Sequence, residues 1–249
     1  MVQKIHHVGI VVRGIDDALR FYRDTLGLPV IKRAELKEHG VAAALLAAGE
    51  SAIELVEPTD PTTGVARFLK RHGEGLHHLC FQTEDVGKDL IELRRKGVTL
   101  IDEAPRPGLP GLIAFLHPKS TAGILVELAS PTEEIQRYKE VRMKRVVISS
   151  SDVPRACDLY RDLFDLHGKS VNGSARALLD VGRGALLIVP ADEAGEVVGM
   201  LALSLVSEDL SLLLERLRSH GVALRSGAGE LTVEPSSSHG VHLHISRYE

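Results

Sequence analysis

An internal repeat is the feature that most restricts how this 249-residue chain can fold. The segment "GLHHLCFQTEDVGKDLIELRRKGVTL" at residues 75–100 aligns without a gap on "GMLALSLVSEDLSLLLERLRSHGVAL" at residues 199–224. Likewise "RFYRDTLGL" at residues 20–28 aligns on "DLYRDLFDL" at residues 158–166. Each half itself consists of two repeats. In the first half, the opening "KIHHVGIVV" resembles "GLHHLCF" further along. Repeated units bury their apolar faces against one another, so the fold follows from one unit.

Each unit reads as one strand, one helix and about three further strands. A β-like run leads the unit, and apolar residues then recur at helical spacings of three and four, as at Val86, Leu90 and Leu93. Glycine and short apolar runs follow the helix. The sequence therefore predicts an α+β fold of four βαβββ units, arranged as two tandem domains with mixed sheets and flanking helices.

Polar segments rich in proline separate the units. "EPTDPTTG" lies between the first and second units, and "SPTEEIQRYKEVRMK" lies between the two halves. We therefore expect one domain at residues 1–130, a linker at residues 131–143 and a second domain at residues 144–249. We also expect the linker to form a short helix over residues 131–140.

Composition excludes several classes of partner. The net charge is −4 and the basic residues are dispersed among the acidic ones, which argues against a nucleic-acid partner. No apolar run approaches the ~20 residues needed to span a bilayer, and no leader segment is recognisable, so we expect a soluble cytoplasmic protein with no membrane partner. Cys80 and Cys157 lie in apolar or helical patterns and are expected to fill the core without forming a disulfide.

A histidine and a glutamate occupy equivalent places in the first two units. His7 heads the first strand of unit one and Glu54 lies in its last strand, "AIELVEP". His78 heads the first strand of unit two and Glu127 lies in its last strand, "ILVELAS". A pseudo-twofold axis between the units would bring all four side chains together. Two imidazoles and two carboxylates are ligands that a divalent transition metal accepts, so these residues are candidate metal ligands.

A structural interpretation competes with the metal site. A single glutamate in a strand usually lies on the solvated face, and a single histidine before a strand is usually a satisfied polar residue. The matching register in two repeats nevertheless favours the metal site. His6 and His77 are adjacent in sequence to the candidate ligands. They should point to the opposite face of their strands because side chains alternate, and we expect them at the surface or rim.

Repeated βαβββ units with His and Glu ligands resemble the vicinal oxygen chelate, or glyoxalase-type, superfamily. Residues 4–129 resemble methylmalonyl-CoA epimerases in particular, through "DDALRFYRDTLGL", "IELVEP", "GVTLIDEAPRPGLPG" and "FLHPKSTAGILVEL". The resemblance implies that His7, His78 and Glu127 are metal ligands, with Glu54 as the fourth. It also implies an isomerase that epimerises a CoA thioester of the 2-methylmalonyl type. Its cofactor would be one divalent metal ion, with cobalt favoured over zinc, nickel, manganese or magnesium.

Epimerisation requires a proton acceptor on one face of the substrate carbon and a donor on the other. The resemblance supports Glu127 as one catalytic base. Some relatives place a further carboxylate on the strand that here reads "GVAAALLAAG", which has none, so Glu54 is our hypothesis for the second base. The nucleotide end of coenzyme A would need scattered basic side chains such as Arg106 and Lys119.

The second half departs from the ligand pattern. The residues that align on His7, His78 and Glu127 are Arg145, Ala202 and His244, and the strand equivalent to "AIELVEP" reads "GALLIVP". We therefore expect a metal-free copy in which His242 and His244 are structural. This copy would cover the surface that a second subunit covers in dimeric relatives, or close the catalytic cleft. A monomer is expected, with a homodimer as the alternative.

Three alternative functions remain. A glyoxalase I-like lyase would use the same four ligands. A ring-cleaving or keto-acid dioxygenase is also built from four such units, but two histidines and one carboxylate suit it better, so Glu54 argues against it. An antibiotic-binding protein would need no metal.

Overall fold

The computed structural model describes residues 2–227 and 229–247. Within them the chain forms four successive repeats of one strand, one helix and three strands, with an additional helix between the first two repeats. The strands are β1 (Val2–Val11), β2 (Val30–Leu36), β3 (Val41–Ala48), β4 (Ser51–Pro58), β5 (Gly75–Thr83), β6 (Arg106–Pro107), β7 (Gly111–Leu116), β8 (Val126–Pro131), β9 (Val141–Ser150), β10 (Gly168–Ser170), β11 (Ala177–Val181), β12 (Gly184–Pro190), β13 (Gly199–Ser207), β14 (Leu224–Gly227), β15 (Glu230–Val233) and β16 (His242–Ser246). The α-helices are α1 (Ile15–Leu19), which continues as a π-helical segment over Arg20–Thr25, α2 (Gly64–His72), α3 (Val86–Arg95), α4 (Val153–Phe164) and α5 (Leu210–Ser219).

The strands form two eight-stranded sheets with the same internal order. The first sheet runs β2-β3-β4-β1-β5-β8-β7-β6 and the second runs β10-β11-β12-β9-β13-β16-β15-β14. In each repeat the first strand pairs in parallel with the last, as in β1 with β4 and β5 with β8, while the last three strands pair antiparallel. The predicted α+β fold of tandem βαβββ units with mixed sheets is confirmed.

Three of the repeats start their helix in the same way. Asp85, Asp152 and Asp209 precede α3, α4 and α5, and each side chain accepts a hydrogen bond from the backbone N–H three residues later. Gly14 occupies this place before α1 and has no side chain to do so. The apolar positions predicted for α3 are buried against its sheet. Among the described residues, no helix is long and apolar enough to cross a membrane.

Contacts group the described residues into two compact units, and each unit combines two repeats from different halves of the chain. One unit draws on Met1–His6, His78–Glu134 and Arg145–Leu201, so it pairs the second repeat with the third. The other draws on His7–His77, Ile135–Lys144 and Ala202–Glu249, so it pairs the first repeat with the fourth. The predicted domain limits stay a prediction.

A buried tyrosine joins the first repeat to the fourth. The Tyr22 hydroxyl donates a hydrogen bond to the Ser238 carbonyl oxygen at 2.9 Å. Gly240, two residues on, has a φ of +79°, and a Cβ atom there would overlap the Glu74 carbonyl oxygen. The Glu74 carboxylate accepts a hydrogen bond from the Arg13 backbone N–H at 2.8 Å, and its Oε1 lies 3.2 Å from Nδ1 of His239. The turn over residues 238–240 therefore packs closely on the first repeat.

The second and third repeats meet through equivalent residues. The Tyr160 hydroxyl donates to the Thr121 carbonyl oxygen at 3.4 Å. Gly123, with a φ of +84°, faces a Val198 methyl group at the place where Gly240 faces Glu74. Burial raises the pKa of both phenols, Tyr22 and Tyr160, so each remains a hydrogen-bond donor. Each of the two compact units therefore contains an equivalent tyrosine that donates to an equivalent turn.

The expected linker helix over residues 131–140 is wrong, because residues 132–140 form an irregular segment. Ile135 is buried, and the Tyr138 hydroxyl donates to the Gly27 carbonyl oxygen at 2.8 Å. The Tyr138 N–H also donates to the Gly49 carbonyl oxygen. Side chains and backbone are thus anchored on the first repeat, and these contacts replace the hydrogen bonds that a helix would supply.

Candidate metal centre

The first candidate pair lies on the parallel strands β1 and β4. Glu54 is opposite Gly9 in the strand register, and His7 lies two residues before Gly9, on the same face because side chains alternate. The His7 Nε2 atom lies 3.5 Å from the Glu54 Oε2 atom. His7 is fully buried and Glu54 is 6% exposed. An ionisable side chain is therefore held inside an apolar strand.

The second candidate pair repeats this geometry on β5 and β8. Glu127 is opposite Cys80 in the register, and His78 lies two residues before Cys80. The His78 Nε2 atom lies 3.6 Å from the Glu127 Oε2 atom, and both residues are 3% exposed. The two His–Glu pairs thus stand at the same register in their repeats.

His7, Glu54 and His78 form a buried cluster. Each offers one ligand atom, and these atoms lie within 4.8 Å of one another. Glu127 adjoins the cluster through its contact with His78. Nitrogen and oxygen ligands at about 2.1 Å from one ion lie about 3.0 to 3.4 Å apart, close to the spacing of each pair. Two buried carboxylates beside imidazoles also carry a charge that a divalent cation would balance, so the residues present fit such an ion.

An aromatic side chain covers one end of the cluster. The Phe115 ring meets the His78 ring edge to face, with centroids 5.3 Å apart, and Phe115 is opposite Glu127 in the register of β7 and β8. The Arg106 guanidinium lies 5.4 Å from the Phe115 centroid and its Nε is 3.0 Å from an Asp102 carboxylate oxygen. The expected role of Arg106 and Lys119 at the nucleotide end of coenzyme A stays a prediction.

The expectation that His6 lies at the surface or rim is wrong. His6 is 1% exposed, and its ligand atom lies within 4.8 Å of those of His7 and Cys80. The physical reason is that both faces of β1 are covered from Ile5 onward, so alternation does not carry the side chain to solvent. His77 is half-buried, and its ring packs at 82° against the Phe68 ring of α2.

Sequence reasoning assigned Cys80 to the core and missed its position beside a candidate ligand. The thiol is fully buried, as expected, but its Sγ lies 3.4 Å from the Glu127 Oε1 atom. The available signal was the alternation of the strand, since Cys80 is two residues from His78 and shares its face.

The second sheet carries other side chains at the equivalent positions. Ser204 is opposite His244, as Cys80 is opposite Glu127, so His244 occupies the Glu127 position. Val147 is opposite Leu187, as Gly9 is opposite Glu54, so Leu187 occupies the Glu54 position. The expectation that this half binds no metal stays a prediction.

Comparison with known proteins identifies relatives that match about half of the chain. A model of the glyoxalase/bleomycin resistance protein/dioxygenase superfamily matches residues 6–116. The mitochondrial methylmalonyl-CoA epimerase of Homo sapiens is 32% identical over 127 residues, which cover 50% of this chain and 72% of that protein. A solved variant of Streptomyces coelicolor methylmalonyl-CoA epimerase, in complex with 2-nitronate-propionyl-CoA, is 36% identical with a TM-score of 0.52, over 53% of this chain and 100% of that one.

A different solved structure matches both halves. A variant of 4-hydroxymandelate synthase from Streptomyces coelicolor covers 98% of this chain and 92% of its own, with a TM-score of 0.75 and 18% identity. At that identity the likeness establishes the fold alone. The chain belongs to the glyoxalase/bleomycin resistance protein/dioxygenase superfamily, and about half of it is similar to methylmalonyl-CoA epimerases.

Proposed function

We propose that this chain is a metal-dependent epimerase of a CoA thioester of the 2-methylmalonyl type. One observation carries the proposal, namely the two buried His–Glu pairs at the same register of the first sheet. They lie in residues 4–129, the part of the sequence that resembles methylmalonyl-CoA epimerases. We further propose a cytoplasmic enzyme that acts as a monomer.

His7, Glu54, His78 and Glu127 would hold one divalent ion, with cobalt favoured. When bound, the ion supplies Lewis-acid stabilisation of the negative charge that develops on the substrate oxygens as the α-proton leaves. The protein adds an apolar surrounding. The Phe115 ring packs on His78, and the buried Leu45 lies opposite Glu54, so apolar side chains adjoin both ligand pairs.

The two carboxylates carry the proton steps. Glu127 accepts the α-proton from one face of the substrate carbon, and the bonding pair remains on the substrate as an enolate. Glu54, in its protonated form, returns a proton to the opposite face, which inverts the centre. The starting state returns when Glu127 releases its proton to solvent and Glu54 takes one up from solvent.

Exchange of the α-proton in heavy water tests this function directly. Purified protein is stripped of metal, reloaded with cobalt, and incubated with a single stereoisomer of methylmalonyl-CoA. We expect deuterium to enter the α-carbon and the other stereoisomer to appear, both depending on the metal. The hemithioacetal of methylglyoxal and glutathione serves as the competing substrate. Turnover of that compound, with no exchange on the CoA thioester under any metal, would establish the glyoxalase I-like alternative instead.

A further inference from the structure

We propose that Cys80 is a positioning residue for Glu127, whose thiol donates a hydrogen bond to one carboxylate oxygen and leaves the other oxygen for the metal. The inference rests on the proposed function, because it assigns Cys80 a part in preparing one of the four proposed ligands. Cys80 itself touches neither substrate nor metal in this arrangement.

The strand pairing sets the contact between Cys80 and Glu127. The two residues are directly opposite each other on β5 and β8, so their side chains leave the sheet side by side. The Cys80 Sγ atom lies 3.4 Å from Glu127 Oε1, while Glu127 Oε2 lies 3.6 Å from Nε2 of His78. The two oxygens thus face different partners.

A carboxylate is the strongest acceptor near this thiol. The Phe81 carbonyl oxygen is more distant, at 3.8 Å, and the ring nitrogens of His6 and His7 lie within 4.8 Å. A hydrogen bond to an ionised acceptor is roughly twice as strong as one between neutral groups. Because Cys80 and Glu127 are both almost completely buried, water does not compete for the bond.

The first repeat lacks this device. Gly9 occupies the place of Cys80 opposite Glu54, and a glycine offers no side-chain donor. The two carboxylates, equivalent in the strand register, therefore differ in their cross-strand neighbour. Orientation of Glu127 by the thiol would make the two ligand pairs unequal before any substrate binds.

Infrared spectroscopy of the metal-free protein tests the hydrogen bond alone. The Cys157→Ala variant isolates the S–H stretch of Cys80, and the Cys80→Ala variant supplies the Cys157 band as a reference. We expect the Cys80 band at lower frequency than the reference, and we expect Glu127→Gln to return it toward that reference. If the S–H stretching frequency of Cys80 is unchanged by Glu127→Gln, or changes only in a His6→Gln variant, the assignment is wrong.

Metal affinity tests the consequence for the ligand. We measure cobalt binding by competition with a chelator, together with the visible spectrum of the bound ion. Loss of an outer partner of a metal ligand typically costs 10- to 100-fold in affinity, so we expect Cys80→Ala to weaken binding by about tenfold. Cys80→Ser keeps a donor and should stay within about threefold, and Cys157→Ala should match the natural sequence.

The outcomes separate this inference from the proposed function. Equal affinities and spectra in the natural protein, Cys80→Ala and Cys80→Ser would overturn the positioning role while leaving the epimerase proposal intact. Metal binding that depends on Cys80, in a protein that exchanges no α-proton, would support the positioning role and contradict the epimerase proposal. Should Cys80→Ala fail to fold, Cys80→Ser and the infrared measurement still decide the question.

Discussion

The first and second sheets have the same strand order but different side chains at four equivalent positions. The first sheet has His7, Glu54, His78 and Glu127, whereas the second has Arg145, Leu187, Ala202 and His244. The second sheet forms the same strand order without a carboxylate at those places, so the fold does not require one. The buried glutamates of the first sheet therefore need an explanation outside the architecture, and the proposed metal site would provide one.

Unlike the candidate ligand positions, the contacts between helices and turns are the same in both halves. Tyr22 and Tyr160 are equivalent, and each donates to a carbonyl oxygen in an equivalent turn. These contacts join repeats within each compact unit. The two halves thus share these packing contacts, while their candidate ligand positions differ.

Removal of a ligand is expected to have the largest effect and would test the comparison most severely. His78→Ala should lose bound metal and reduce α-proton exchange by about 100- to 1,000-fold, the effect of losing one electrostatic stabiliser. His244→Ala, in the second sheet, should change both quantities by less than about threefold. Elemental analysis after dialysis and the exchange assay measure them. Equal losses in the two variants would contradict a metal site confined to the first sheet.

Exchange of each glutamate for its amide tests whether the two carboxylates share the proton steps. Glu127→Gln should slow deprotonation of one stereoisomer about 100-fold, and Glu54→Gln should slow chiefly the other. Both amides keep an oxygen for the metal, so metal content should fall less than activity. Single-isomer exchange assays give the answer. If Glu54→Gln leaves both rates within about threefold, Glu54 is a ligand only and the second proton has another source.

Removal of the tyrosine hydroxyls tests the packing that the two units share. Tyr22→Phe should lower the free energy of unfolding by about 1 kcal/mol, because the buried Ser238 carbonyl oxygen loses the hydroxyl donor and keeps only the Val241 N–H. Tyr160→Phe should cost less, since its hydrogen bond is longer, at 3.4 Å against 2.9 Å. Urea titration measures both. A loss at Tyr160 that greatly exceeds the loss at Tyr22 would show that the two contacts are not equivalent.

The smallest expected effect is a pH dependence confined to one of these contacts. Burial alone would raise the pKa of Glu74, but hydrogen bonds from the Arg13 N–H and His239 hold it below its ordinary value. Glu74 therefore contributes stability above its unfolded pKa of about 4.3, and this contribution is lost as the pH falls through the folded pKa.

The difference in unfolding free energy between the natural protein and Glu74→Gln should accordingly shrink between about pH 5 and pH 3. Val198 holds the equivalent place at the other contact and carries no charge. For Val198→Ala the corresponding difference should stay constant over the same range, and a parallel change in both variants would contradict the assignment to Glu74.

The sequence by itself determined the features that are local to one repeat. Apolar spacing predicted α3, and alternation with the matching His and Glu positions predicted that His7 with Glu54 and His78 with Glu127 would stand at one register. These properties follow from the chain geometry of a helix or a strand, which a short segment already specifies. The alignment of Glu127 on His244 also agrees with the register of the second sheet.

The tertiary structure decided everything that depends on what covers a segment. It buried His6, which alternation had directed outward, and it held residues 132–140 in an irregular path through Ile135 and Tyr138. It placed the Cys80 thiol beside Glu127 and paired the first repeat with the fourth. These contacts join residues that are far apart in the chain. Since their free energy comes from non-local packing, the pattern within one segment does not encode it.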